Sequence, residues 1–363
     1  MTEFHGVRWA TAEDDATLRR LCVRTPMQGP ISYCLERESE FFALTRLQGD
    51  QGGRVAVVDH GTEVIAMAMM APFRAWVGGE EQSCAYVGDL KVDPDHRNRG
   101  LAGRVVSFLG LELQRQGIDR LFFLALEGNP AMDLIDNSPG HFEVRKPRTI
   151  RNFLVPFGSS KRSRSDAVVS RATPESIPEM IALWNRNQRV RAFAPVLDEK
   201  LLSHWLSGLS SLDDFRLVHR DGRLKGFCAV WDASGIKQIR LLRLAPGMRA
   251  ATAMYNVLAT VRGRPRFPPA GRHLRFLYVS HVCAEKAEDL EALLVNIHNE
   301  SCEEGYLYFD LALDRADALA AALSGFRSMT VDFEIREARP PALRPVVAAP
   351  ADDDCAYFDM SLV

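Results

Sequence analysis

The chain has no run approaching the ~18 consecutive apolar residues of a membrane-spanning helix. Met1 is followed by Thr2, Glu3 and His5 rather than by a basic region and an apolar stretch, so neither a membrane span nor a secretory leader is expected. Its seven cysteines, at 22, 34, 84, 228, 283, 302 and 355, form no Cys-x-x-Cys and no Cys/His metal spacing. That excludes the common zinc patterns and leaves reduced thiols of a cytoplasmic protein, with no metal expected. Neither sign of charge dominates, the formal net charge being −2. The local basic runs, Lys161, Arg162 and Arg164, then Arg262, Arg264, Arg266, Arg272 and Arg275, lack interleaved aromatics for stacking on bases and read as solvated connectors. Nucleic acid and membrane are therefore not expected partners.

What is present is enough apolar sequence, 47% of 363 residues, to build two cores. Ala85 to Val92 reads as an apolar, partly β-branched strand that Pro94 ends. From Leu101 the spacing Leu101, Val105, Val106, Phe108, Leu109, Leu113 becomes helical. Between them lies Arg97-Asn98-Arg99-Gly100-Leu101-Ala102. A helix N-terminus offers unpaired N–H groups and a positive dipole end to a diphosphate. Gly100 and Ala102 keep side-chain bulk away from it, and Arg97, Arg99 and Arg104 offer charge-assisted contacts.

This loop resembles the Arg/Gln-x-x-Gly-x-Gly/Ala signature of the GCN5-related N-acetyltransferases (GNAT). The resemblance covers roughly residues 6 to 157, with the strand VGDLKV before the loop, an amphipathic helix after it and a second strand LFFLALE at 121–127. It implies that the backbone of residues 97–102 holds the pyrophosphate of acetyl-CoA, that main chain of Leu90, Lys91 and Val92 pairs with the pantetheine arm, and that Asn129 contacts the pantetheine or thiol end.

A repeat organises the rest. Residues 8–22 and 170–184 share an Ala-Thr pair, a Glu two residues later and a helical apolar spacing. The helix ending at Gly117 and the strand LFFLALE correspond to Gly305 and YLYFDLAL at an offset of 188. The expected fold class is α/β, mixed and α+β-like: two tandem GNAT-type domains, each a twisted mixed sheet flanked by helices. The expected boundaries are 1–157, a Ser-rich linker at 158–166, a second domain at 167–338, and a tail at 339–363 whose apolar end folds back onto a domain. Carried forward by 188, Arg97 falls on Glu285 and Gly100 on Glu288. Carboxylates there would repel a diphosphate, so only the first half is expected to bind CoA.

Acetyl transfer to an amine requires an ammonium to lose a proton. Asp89 is the only carboxylate in strand 85–92 and is the candidate base or amine anchor; in family members with two adjacent acids there, Asp89 matches the second and Gly88 stands at the first. Tyr86 is a further candidate, on the opposite face of a regular strand but not of a bulged one. The family's thiolate-protonating tyrosine falls on Ile135 or Asp136, and no tyrosine lies between Tyr86 and residue 157, which leaves an unassisted thiolate or His96 or His141 as acid. Glu36 and Glu38, in the segment between first helix and second strand, would suit a cationic substrate. The same segment also reads as a helix packed through Phe41, Leu44 and Leu47. The expected activity is acetyl transfer from acetyl-CoA to a primary amine, on a small molecule or a peptide, by direct attack in a ternary complex. Transfer of a longer acyl group, or a non-catalytic acyl-CoA-binding or scaffold protein, are the alternatives. A monomer or a homodimer is expected.

Overall fold

The computed structural model describes residues 6–129, 143–144, 147–208, 211–339 and 355–363. The first half runs β1 (Arg8–Trp9), α1 (Asp15–Arg24), β2 (Ile31–Glu36), α2 (Phe42–Thr45), β3 (Arg54–His60), β4 (Glu63–Val77), β5 (Glu80–Val92), α3 (Leu101–Arg115), β6 (Leu121–Leu126), β7 (Glu143–Val144) and β8 (Arg148–Pro156). The second runs β9 (Val168–Arg171), α4 (Ile177–Gln188), β10 (Ala194–Pro195), α5 (Glu199–Leu206), β11 (Phe215–Arg220), β12 (Arg223–Trp231), β13 (Gln238–Leu244), α6 (Pro246–Val261), β14 (Leu277–Ala284), α7 (Ala287–Ser301), β15 (Tyr308–Asp314) and β16 (Met329–Arg339).

Local chemistry explains most of these elements. Thr11 and Thr173, the repeated threonines, each form a capping box at the turn that opens the first helix of their half. Gly78 and Gly79 both take positive φ, 59° and 79°, and so close the two-residue β4–β5 hairpin. In α3 the four-residue interval Leu101, Val105, Leu109, Leu113 is the buried stripe. It packs against Ala56, Val58, Ile65, Ala68 and Met70 on one face of the sheet. The opposite face carries α1 through Leu18 and Leu21 against Val55, Val57, Met67 and Met69.

The main sheet is continuous through both halves in the order β1-β3-β4-β5-β6-β16-β8-β15-β14-β12-β11-β9. The last strand of each half thus lies beside the other half's strands. β8 pairs with β15 along Tyr308↔Pro156 to Asp314↔Ile150, and β16 pairs with β6 along Phe333↔Leu126 to Ala338↔Leu121. Two further bridges join the halves, β2 with β13 in a separate sheet and β10 with β4. The expected boundary at 158–166 therefore does not separate two independently built domains. That segment lies along α7, where Lys161 N–H donates to Asn299 Oδ1 at 2.8 Å and Ser163 Oγ to Glu291 at 2.8 Å.

The chain end at residues 355–363 also joins the halves. Tyr357 N–H donates to the Ala192 carbonyl at 2.9 Å, and Gln48 Nε2 donates to the Leu362 carbonyl at 2.6 Å. The buried Lys237 ammonium donates to the carbonyl oxygens of Met360, Ser361 and Val363 at 3.0, 3.1 and 2.7 Å. No helix among the described residues is long and apolar enough to cross a membrane.

Candidate active site

The loop between β5 and α3 is held at its base and open at its tip. Asp93 accepts from Arg24 Nε at 2.6 Å and from the Asp95 N–H at 2.9 Å, which fixes where the chain leaves the strand. Asn98 and Gly100 turn it through left-handed conformations, φ 60° and 71°, and a Cβ at Gly100 would meet nothing within 4 Å. Arg97, Asn98, Arg99, Gly100 and Arg104 are exposed, Ala102 is half-buried, and Leu101 is buried beneath the helix. Leu101 therefore offers only main chain to a ligand.

Beside the loop the sheet splits. β5 and β6 are parallel but pair only at Ala85↔Leu121 and Tyr86↔Phe122. Beyond that point, among the described residues, the edge of β5 from Val87 to Val92 meets no strand. That free edge contains Leu90, half-buried Lys91 and half-buried Val92, where a pantetheine arm could add main-chain hydrogen bonds as a strand would. Asn129 follows β6, its N–H donating to the Leu126 carbonyl at 3.0 Å.

The strand is bulged at Asp89. Between Met67↔Lys91 and Met69↔Gly88, β5 carries one residue more than β4, and Asp89 takes φ 51°. Its carboxylate lies between Arg37 Nη2 at 2.7 Å and Lys91 Nζ at 2.9 Å. Although burial opposes ionisation, Lys91 and Arg37 hold the carboxyl far below its ordinary range. A carboxylate clamped by one buried and one half-buried cation is a poor proton acceptor, so Asp89 does not suit the role of base and its ion pairs leave little for an amine. Gly88 also has a packing reason: a Cβ there would lie 2.7 Å from the Tyr86 hydroxyl. The Tyr86 ring occupies that space, and burial holds its phenol firmly protonated.

Tyr86 and Phe122, the last residues paired before the split, line a pocket with a cavity volume of about 80 Å³. Its other walls come from both halves and from the chain end, including Phe73, Phe193, Trp205, Phe358 and Leu362. Into it faces His281, a residue the sequence reading did not single out. His281 is 1% exposed; its N–H donates to Asp359 Oδ2 at 2.9 Å and its Nδ1 lies 3.0 Å from Ser280 Oγ. Nε2 has no hydrogen-bond partner, and the tautomer with its proton on Nδ1, toward Ser280 Oγ, would leave the Nε2 lone pair free. Burial lowers the imidazole pKa, so the ring is neutral near pH 7.

His281 occupies in the second half the place of Asp89 in the first. Between Phe227↔Cys283 and Ala229↔Ser280 the same bulge recurs, with His281 at φ 52°. Asp89 and His281 are 192 positions apart, whereas the helix starts Leu101 and Ala287 are 186 apart. The second half is thus six residues shorter between bulge and helix. The expected one-for-one replacement of Arg97 by Glu285 and Gly100 by Glu288 is corrected accordingly: the loop itself is missing. Eight residues separate β5 from α3, two separate β14 from α7, and Glu288 and Asp289 stand in the first helical turn, bound to Arg220.

The remaining candidates are dispersed. Glu36 is 5% exposed and bound to Arg240 at 2.6 Å and His273 at 2.9 Å, so it joins β2 to the second half rather than facing a substrate. Glu38 is exposed, its N–H donating to Gln238 Oε1. The segment around them is a strand followed by the short α2, with Phe41, Leu44 and Leu47 buried. His96 lies beside Asp93 at the loop base. Ile135, Asp136 and His141 lie outside the described residues. No cluster of metal-ligating side chains occurs among the described residues.

The sequence pattern of the acetyltransferase (GNAT) family matches residues 19–135. No curated protein matches the chain. The fold is similar to Saccharomyces cerevisiae N-myristoyltransferase with bound myristoyl-CoA, at 11% identity and TM-score 0.63 over 94% of this chain and 81% of that one. It is also similar to a GCN5-related N-acetyltransferase from Anabaena variabilis, at 12% identity and TM-score 0.52 over 91% and 72%. A probable N-acyltransferase from Enterococcus faecalis gives 11% identity and TM-score 0.52 over 92% and 72%. The family pattern thus runs through the split strands, the bulge and the loop of the first half, and the chain as a whole shares its fold with these acyltransferases.

Proposed function

We propose that this protein is an acyl-CoA-dependent N-acyltransferase that transfers acetyl from acetyl-CoA to a primary amine by direct attack in a ternary complex. The observation that carries the reading is the open Gly100 loop at the N-terminus of α3, beside a free edge of β5 that begins where Tyr86 lines a half-open pocket. Backbone N–H groups at residues 97–102, with Arg97, Arg99 and Arg104, hold the pyrophosphate. The thioester then lies at the bulge. The acceptor ammonium loses one proton to His281 Nε2, and the neutral nitrogen attacks the thioester carbonyl. The C–N bond forms, the C–S bond breaks, and the second proton leaves with the thiolate as CoA thiol. Asp359 and Ser280 fix the orientation of the imidazole.

Purified protein given acetyl-CoA and a panel of amines is expected to release thiol above background. Thermal stabilisation by CoA without any thiol release would instead mark a binding module. The loop has a separate test in Gly100→Glu. The space beside Gly100 is empty, so the new side chain fits, at a backbone cost of about 1 kcal/mol for its positive φ. It would, however, place a carboxylate where the diphosphate binds. Calorimetry is expected to show CoA affinity lost with the fold retained; unchanged affinity would refute the assignment.

A further inference from the structure

We infer that the pocket between the halves takes the acceptor as a single primary ammonium carried on an aromatic or branched aliphatic body. This rests on the acyl-transfer reading above and names the substrate class of the same site. Two features of the lining carry it. The walls are aromatic and come from Phe73, Phe122, Phe193, Trp205 and Phe358. The polar atoms among them accept hydrogen bonds: Gln48 Oε1, Asp50 Oδ1 and His281 Nε2 are buried without a partner, and Asp359 adds a second carboxylate. Among the described residues no lysine or arginine lines the pocket.

Buried acceptors are costly when unpaired; the three residues that carry these atoms line one common pocket, and one ammonium drawn in among them supplies three donors. Asp50 is held in place by its other oxygen, Oδ2, which accepts from the Arg74 N–H at 3.0 Å. Burial raises the Asp50 pKa, a penalty that an incoming cation removes. Aromatic faces add cation–π attraction for the ammonium and apolar contact for the body that carries it. Other occupants fit less well. A simple acyl chain gains nothing from two carboxylates, a carboxylate ligand is repelled by Asp359 and by Asp50, whose cation, Arg74, stands 3.6 Å off its Oδ2 outside the lining, and the second charge of a polyamine would be desolvated among rings.

The test is a titration of the full chain, saturated with CoA, followed by the fluorescence of Trp205 in the pocket wall. The probes are 2-phenylethylamine, its acidic counterpart 3-phenylpropionate, and putrescine. 2-Phenylethylamine is expected to bind at least about tenfold more tightly than either, and Asp50→Asn to weaken it by about tenfold. Equal or tighter binding of either other probe, or no effect of Asp50→Asn, overturns the inference. Should that variant fail to fold, Leu362→Trp fills the pocket from its wall: loss of amine binding with CoA binding retained supports the assignment, and unchanged amine affinity overturns it. CoA binding and thiol release are measured separately. Absent CoA binding defeats the acyl-transfer reading, whereas turnover of putrescine in preference to 2-phenylethylamine defeats this one alone.

Discussion

Asp89 and His281 stand at the same bend of two corresponding strands and have opposite chemistry. Asp89 neutralises buried Arg37 and half-buried Lys91, and its removal strands the Arg37 guanidinium away from water. Asp89→Asn is therefore expected to cost on the order of 3–5 kcal/mol of stability, measured by denaturant unfolding, as a structural residue would. His281→Gln keeps size and polarity but removes the proton acceptor. It is expected to lower kcat by about 10²–10⁴-fold with CoA affinity unchanged. The His281 pKa lies below the ordinary 6.5 in the native state, so its stability contribution is complete above 6.5 and lost as pH falls through the native value. The wild-type pH–rate profile should show an acid limb below 6.5, and His281→Gln should abolish that limb; a retained limb would remove the imidazole from the chemistry. Asp89 was legible as an acid in the right strand, but its role was not, because Arg37 arrives from 52 positions away. His281, inside the apolar run LYVSHVCA, reads as a core residue until the repeat is aligned at the bulge.

Among the elements, those set by neighbours in sequence were the most legible. The Gly100 loop, the helical spacing from Leu101 and the Ala-Thr starts of both halves are local signals, and each gives the element expected of it. The placement of β8 beside β15 is not a local signal: β15 is buried throughout, and nothing in either strand's own residues names its partner. That seam contains Asp310, whose Oδ2 accepts from Asn152 Nδ2 of β8 at 2.8 Å and whose Oδ1 has no partner. Burial raises its carboxyl to about 7. A raised native pKa gives stability that is full below the ordinary 3.8 and is lost as pH rises to 7. Asp310→Asn keeps an acceptor for Asn152 and cannot ionise. Its Tm advantage over the wild type should therefore grow between about pH 4 and 7 and then level, as thermal melts across that range would read; an advantage independent of pH would mean that Asp310 is charged throughout.

For the whole molecule the consequence is cooperativity. Val155 of β8 and the adjoining Phe157 belong to the apolar core around α7 in the second half, while Ile335 and Ala338 of β16 belong to the two cores that sandwich the first half's strands. Two domains joined only by a linker could unfold separately, but halves that each complete the other's sheet cannot lose one without exposing the other's core. Calorimetry of the intact chain is thus expected to give one transition, with the van't Hoff and calorimetric enthalpies equal. Ile335→Ala probes this directly. Ile335 is 2% exposed and sits in the same cluster as Leu18, Tyr86 and Phe122, although the sequence assigns it to the second half. Truncating it should cost about 2–5 kcal/mol and move the single transition as a whole. It should also weaken binding in the pocket that Tyr86 and Phe122 line, because their packing partner is gone. Two resolved transitions, of which only one shifts, would show instead that the exchanged strands do not bind the halves into one folding unit.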